Sequence, residues 1–140
     1  MKKYKIGMVQ VNNSFSGQNY LPLSLGFLVS YAEFHCKNFN DYDFLNPIYK
    51  RVPIKDAVEQ YKDCDIVAFS VYVWNNNISM RIAKALKEVN PNILTIAGGC
   101  HIPERPEYID KYMKDHPYLD IASVGEGERV FTDFLEKYPT

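Results

Sequence analysis

The chain predicts a doubly wound α/β domain built on a five-stranded parallel sheet. Three short apolar runs carry that prediction: Asp65-Ile66-Val67-Ala68-Phe69-Ser70, Ile93-Leu94-Thr95-Ile96-Ala97-Gly98-Gly99, and Leu119-Asp120-Ile121-Ala122-Ser123-Val124-Gly125-Glu126-Gly127. Each run breaks into a loop of small or polar residues and is followed by a helix-like stretch. The loops therefore gather along one edge of a parallel sheet, where open α/β folds hold ligands outside the carboxyl ends of the strands. They offer glycines, a serine, aromatics and a histidine, without a convincing set of catalytic acids and bases. The chain reads as a ligand-holding module, and a large flat ligand suits it better than a small one undergoing chemistry.

The first strand is predicted over Lys5 to Val11, apolar enough to be buried on both faces. A polar loop, Asn12 to Asn19, follows. Pro22 opens a helix of about Leu23 to Phe34, because a first-turn residue has no intrahelical partner for the missing N–H. That helix carries Leu23, Phe27, Leu28 and Tyr31, with Gly26, Ser30 and Ala32 keeping part of its surface small. Tyr42 to Leu45 is the second strand, ended by Asn46-Pro47. Ile54, Val58 and Tyr61 then fall at helical spacing behind Pro53. Ile66 to about Val73 is a near-continuous apolar run of the central parallel type. Asn75-Asn76-Asn77 supplies N-cap candidates, and Ile78, Ile82, Ala85, Leu86 and Val89 mark one face of the next helix. Asn90-Pro91 stops it. Ile93 to Ala97 is the fourth strand, Pro106 to Lys114 a modest helix, and Leu119 to Val124 the fifth strand. Gly125-Glu126-Gly127-Glu128 opens the last helix, with Val130, Phe131, Phe134 and Leu135 inward. Its glutamates suit the positive end of the helix macrodipole. Five β-α units in a row give a flavodoxin-like sheet in the order 2-1-3-4-5, with helices on both faces.

At 140 residues the chain is a single domain, 1–140, with no linker, repeat or low-complexity segment. Its 46% hydrophobic fraction is that of an ordinary globular protein. A net charge of -1 gives no electrostatic case for nucleic acid or an anionic membrane. No apolar run approaches the roughly 20 residues that span a bilayer. The stretch behind Met1-Lys2-Lys3 is too short and strand-like for a signal peptide. Cys36, Cys64 and Cys100 are odd in number and widely spaced, so neither a disulfide framework nor a zinc motif is indicated. Reduced thiols in a cytoplasmic protein are the expectation, which leaves the sequons at Asn12 and Asn77 accidental.

Several segments together resemble the amino-terminal cobalamin (B12)-binding domain of B12-dependent radical SAM proteins. They are Asp65 to Tyr72, the run Asn92 to Pro103 with its Gly98-Gly99-Cys100-His101, and Asp120 to Glu128 with its Gly125-Glu126-Gly127-Glu128. Tyr20 to Leu28 is similar to that family's first loop and helix. The resemblance spans nearly the whole chain, and the two glycine motifs are specific only in combination.

The resemblance implies a corrin at the strand edge, with its nucleotide tail threaded between sheet and helix. Ser70 stands where the superfamily's Ser-x-Leu motif places its serine, with Tyr72 departing from leucine. Gly98 and Gly99 clear the path where the tail nears the backbone, and Gly125 and Gly127 do so beside the last helix. Glu126 and His101 join the cofactor-binding candidates, as do Tyr72 and Trp74 as cover for a corrin face. Each has a plainer reading: a tight βα turn for Gly98-Gly99, helix-start acids for Glu126 and Glu128, a loop histidine for His101, core packing for Tyr72 and Trp74. A reactive thiolate at Cys100 has no clear activating neighbour, and His35 and His116 read as surface residues.

Two departures shape the expectation. The loop Asn12 to Gly26 lacks the Asp-x-His-x-x-Gly whose histidine ligates cobalt, keeping only Gly26, so base-off, His-off binding is expected. No Cys-x-x-x-Cys-x-x-Cys is present, so no 4Fe–4S cluster of the radical SAM type assembles on this sequence. The chain stops at Thr140, about where that catalytic domain would begin. It reads as a fragment, or as a module working with another chain. The expected function is thus a metal-binding (cobalamin) module that is not catalytic alone and serves a radical SAM domain or partner. Its rivals are an interaction module that has lost the ligand, and a flavin or nucleotide binder at the same edge. Against the last, the first loop is no Ser/Thr-rich phosphate cradle and no Gly-x-Gly-x-x-Gly follows the first strand. A receiver domain fits less well, because the third strand ends in Ser70 rather than aspartate.

Overall fold

The computed structural model of the chain describes residues 2–138. Met1 of the basic start and the chain end at Thr140 lie outside the described residues. Five parallel strands form one sheet: β1 (Tyr4–Val9), β2 (Tyr42–Phe44), β3 (Ile66–Ser70), β4 (Leu94–Gly98) and β5 (Ile121–Ala122). Counted along the chain within that sheet, they lie in the order 2-1-3-4-5. The helices are α1 (Leu23–His35), α2 (Ile54–Tyr61), α3 (Asn76–Val89), α4 (Pro106–Asp115) and α5 (Gly127–Lys137). The strand succession departs from the predicted one through a small antiparallel ribbon, Ser14–Phe15 with Gln18–Asn19, inside the predicted polar loop. Its two-residue turn holds Ser16 at φ 49° and Gly17 at φ 76°. Positive φ at both central residues gives the turn the twist that a ribbon requires.

Because side chains alternate across a strand, the sheet has two faces with separate cores. Ile6, Met8, Ile66, Ala68 and Ile96 pack with Leu25 and Ala32 of α1 and with Phe131 and Leu135 of α5. Val9, Val67, Phe69 and Ala97 face the other way, onto Ala57 and Tyr61 of α2, Ile82 and Leu86 of α3 and Tyr112 of α4. Every residue of β3 is buried, as its continuous apolar run predicts for the central strand.

Some bounds differ from those predicted, for local reasons. The β1 ladder ends at Val9, yet its main chain continues beside the segment after β2. Gln10 N–H donates to Ile48 O at 2.9 Å, and Asn12 N–H to Tyr49 O at 3.0 Å. That pairing keeps Val11 buried and explains the longer apolar run. β3 stops at Ser70 rather than Val73, because the chain turns out of the sheet and Val73 is 75% exposed. β5 keeps two residues of the six predicted.

Helix α1 shows the largest difference in packing. It is apolar on every side, so its sequence names no inward face. Leu25 and Ala32 are the buried residues, whereas Leu23, Phe27 and Phe34 are exposed.

Candidate functional site

On the α1/α5 face, the side chains at the carboxyl ends of the strands are small. Ala68 and Ser70 of β3, Gly98 of β4 and Ser123 after β5 share that face by two-residue alternation. The opposite face carries Phe69 and Val71 at the same level, both in its core. Small residues under two helices leave a cavity of about 440 Å³. It is walled by Leu25 and Leu28 of α1, Phe131 of α5, Ile96 and Ala68 of the sheet, and the loops after β3, β4 and β5. That volume falls in the range of small-molecule sites, roughly 300–1,000 Å³.

The cavity brings together Ser70, Tyr72, Gly98, Gly99, Gly125, Glu126 and Gly127, seven of the sequence-derived candidates. Trp74 and His101 are outside its lining. Trp74 stacks on Tyr72 with centroids 4.7 Å apart and planes 3° from parallel, leaving the indole 47% exposed. Tyr72 is thus cavity wall, and Trp74, stacked on it outside the lining, extends it as an exposed aromatic surface. The His101 main-chain N–H donates to Val71 O at 3.1 Å, and its ring lies against Tyr112 of α4 on the other face of the sheet. His35 stacks near Tyr31, and His116 Nδ1 is 2.8 Å from Tyr112 O. None of the three histidines lines this cavity.

The glycines serve different ends. Gly99 sits at φ +114°, and a Cβ there would lie 2.5 Å from Val71 O and 2.8 Å from Val71 N. Its glycine is demanded by the close passage of two main chains, with or without a ligand. Gly125 is likewise at positive φ, 81°. Gly98 has no such constraint, since its Cβ would meet Ser123 Cβ at an ordinary 3.6 Å; its smallness leaves cavity space. Gly127 starts α5 where α1 crosses close, with Leu28 3.3 Å from a Cβ there.

Several lining residues escape the sequence reading. Ser123 is buried, and its Oγ has no hydrogen-bond partner. A buried polar group without a partner costs about 1–3 kcal/mol, so this hydroxyl is free to meet water or a polar ligand atom in the cavity; Ser79 and Thr132 also lack protein partners but lie outside the lining. Ser24 enters the wall from the first turn of α1. The signal for Ser123 was present in the parity of small residues at strand ends, once β5 is aligned with β4 through Ala97 and Ala122. Among the described lining residues, the charged ones are Glu104, Glu126 and Glu128, with no lysine or arginine. Within a few residues along the chain of the lining positions Ser24, Tyr72 and Gly125, the side chains of Tyr20, Leu21, Leu23, Val73, Trp74 and Val124 expose apolar surface.

Asn75 holds the loop after β3 in place. It is wholly buried, and instead of capping α3 its side chain bridges three main-chain groups. Nδ2 donates to Val11 O at 3.0 Å and to Ser70 O at 3.1 Å, and Oδ1 accepts from Tyr72 N at 2.7 Å. Ser70 and Tyr72 are thereby fixed relative to the end of β1. Gln10 and Asn12 tether the start of α1 in the same way. Leu25 N–H donates to Gln10 Oε1 at 3.4 Å, and Asn12 Nδ2 donates to Tyr20 O and Leu21 O at 3.2 and 3.3 Å.

Of the cysteines, Cys100 is exposed at the cavity and Cys36 and Cys64 are buried. Burial raises the Cys36 thiol and pushes Cys64 up to about 11. The thiolate is the reactive form. An aromatic disulfide reagent at pH 8 is therefore expected to titrate one thiol quickly in the native protein and all three in denaturant. A second fast thiol in the native protein would contradict this arrangement. Among the described residues no cluster of three His, Cys, Asp or Glu side chains forms a metal site, and no helix is long and apolar enough to cross a membrane.

The family model for the B12 binding domain matches residues 6–135. A cobalamin-dependent radical SAM methyltransferase, TokK, of Streptomyces tokunonensis is 39% identical over 116 residues, covering 83% of this chain and 17% of that protein. The 2-(S-pantetheinyl)-carbapenam-3-carboxylate methyltransferase of Streptantibioticus cattleyicolor is 37% identical over 116 residues, with the same two coverages, 83% and 17%. The chain thus spans about a sixth of the length of these curated relatives, the 17% just given. Among solved structures, the pilus assembly protein CpaE of Caulobacter crescentus superposes with a TM-score of 0.56 over 95% of this chain and 97% of its own, at 10% identity. That likeness concerns the fold alone.

Proposed function

The chain belongs to the B12 binding domain family, and from that premise we propose that it holds cobalamin in the base-off, His-off form for a radical SAM methyltransferase domain. That catalytic domain lies on the same polypeptide or on a partner chain. The observation that carries the reading is the cavity under α1 and α5, with the unpartnered hydroxyl of Ser123 in its wall.

The residues fit such a ligand. Ser70 and Ser123 offer hydroxyls to ribose and amide groups, and Gly98 leaves room for an arm of nucleotide size between sheet and helices. Gly99, Gly125 and Gly127 shape the loops over it, with Glu126 at the start of α5. Tyr72 and Trp74 supply a stacked aromatic surface, beside the opening, for a corrin face. The loop Asn12 to Gly26, which carries no histidine, is the ground for His-off binding. Bound cobalamin would supply a cobalt centre able to carry a methyl group. The chain's own part is to bind, orient and shield it, while the apolar rim formed by Leu21, Leu23, Val73 and Val124 faces the catalytic domain. Free thiols at Cys36, Cys64 and Cys100 accord with a cytoplasmic protein.

Electrostatics weigh against the nucleotide alternative. A flavin or nucleotide with a terminal phosphate brings about two negative charges. Here it would meet Glu104, Glu126 and Glu128 with no basic side chain in the wall. A corrinoid arm carries a single phosphodiester charge, offset on the corrin.

Anaerobic titration with hydroxocobalamin, then gel filtration and visible absorbance, tests the reading. Co-elution of corrin with a base-off spectrum is expected, with no retention of flavin mononucleotide in a parallel run. Ser123→Leu, which fills the cavity, is expected to lose the corrin while keeping its circular dichroism. Passage of all corrin through the column free of wild-type protein would overturn the proposal, and retention of flavin alone would favour the alternative.

A further inference from the structure

One hydrogen bond joins the two sides of the cleft in which the cavity lies. Ser24, in the first turn of α1, and Tyr72, just beyond β3, both line the cavity, and their hydroxyls are 2.7 Å apart, either serving as donor. The Tyr72 ring is held by its stacking on Trp74, and its N–H by Asn75 Oδ1. On the helix side, α1 has no side-chain cap at its start. Its first turn is anchored instead by the Gln10 and Asn12 tethers and by this hydroxyl pair. A phenylalanine or leucine at position 72 could fill the same place against Trp74 but could not make the bond.

We propose that the Ser24–Tyr72 hydroxyl pair is a clasp that sets the width of the cleft between α1 and the sheet, and so sets how fast a corrinoid goes on and off. The inference rests on the cobalamin reading for its ligand, though not for its geometry. A ligand arm packed between Ser70, Gly98 and Ser123 on one side and Leu28 on the other needs α1 to move outward as it enters or leaves. The clasp resists that movement at the end of the helix nearest the opening. A bond that re-forms once the arm is seated acts on the barrier more than on the bound state.

Stopped-flow mixing with hydroxocobalamin separates these effects. Tyr72→Phe keeps the ring and removes the hydroxyl, and Ser24→Ala removes its partner. Each is expected to raise both the association and dissociation rates about five-fold, the factor of one ordinary hydrogen bond, with Kd changed less than two-fold. The double variant is expected to match the single ones, since the bond is lost once. A purely structural role would lower affinity or stability without this paired acceleration. Amide hydrogen exchange over residues 22–28 reads the clasp without a ligand. Both variants should exchange faster there, even though alanine favours helix over serine. Unchanged rate constants in both variants would overturn the clasp. Should the wild-type protein bind no corrinoid, the cobalamin reading fails, and the exchange experiment decides the clasp alone: equal exchange in all three proteins would overturn it.

Discussion

Alanine at position 99 is expected to destabilise the domain by about 3 kcal/mol, through backbone strain of 1–3 kcal/mol and overpacking of similar size. For a domain of this size that is a fall in melting temperature of roughly 10 °C. The cause is local. At φ +114° an L-residue is strained, and the new methyl would stand 2.5 Å from Val71 O and 2.8 Å from Val71 N. Those atoms are hydrogen-bonded main chain, Val71 N to Gly98 O and Val71 O to His101 N, so neither yields cheaply. Gly98→Ala is the control. Its methyl would make an ordinary 3.6 Å contact with Ser123 Cβ, so stability within about 1 kcal/mol of wild type is expected. Thermal unfolding of the two variants checks the contrast, and equal melting temperatures would refute it. The pair also separates roles that the sequence runs together. A bulky residue at position 99 would damage the fold before it reported on a ligand, whereas Ser123 reports on the cavity.

Asn75→Ala is expected to cost about 3–4 kcal/mol. It strands Val11 O and Ser70 O in a buried position and Tyr72 N in a half-buried one, each unmet group costing about 1–3 kcal/mol less what relaxation recovers. Asn75→Asp keeps the shape but turns the donor facing two carbonyls into an acceptor, so it should be at least as damaging. Chemical denaturation measures both. An aspartate variant as stable as wild type would show that volume, not hydrogen bonding, holds this loop. Loss of corrinoid retention is expected to accompany either change even where the fold survives, since Ser70 and Tyr72 lose their common anchor.

The fold was legible because its signals repeat. The runs Ile66 to Ser70 and Ile93 to Gly98 are apolar but for Ser70 and Thr95, and Asn46-Pro47 and Asn90-Pro91 end the elements they follow. Such patterns are local and survive packing. The cavity was half legible: glycines at strand ends mark loops that pass close to something, but not whether that is a ligand or another main chain. For Gly99 the neighbour is Val71, a contact across the sheet that no sequence spacing reveals. Ser123 was legible only as one more small residue at a strand end; that it lacks a partner shows only in the assembled wall. Asn75 looked like an N-cap because asparagine before a helix usually is one; its three tertiary bonds took precedence. His101 was placed by a motif, yet its ring lies across the sheet against Tyr112. Helix α1 gave no inward face because it is apolar all round, and which residues it buries was decided by β1, β3 and α5.

The stacked Tyr72–Trp74 pair has a practical consequence. Trp74 is the single tryptophan of the chain, so all indole emission comes from beside the cavity opening. A corrin ring brought within a few ångströms would quench that emission by energy transfer, with no second indole to dilute the signal. Opening of the cleft would change how the indole stacks and shift the emission without a chromophore. The protein thus carries its own optical probe at the place where ligand, helix α1 and a partner domain would meet.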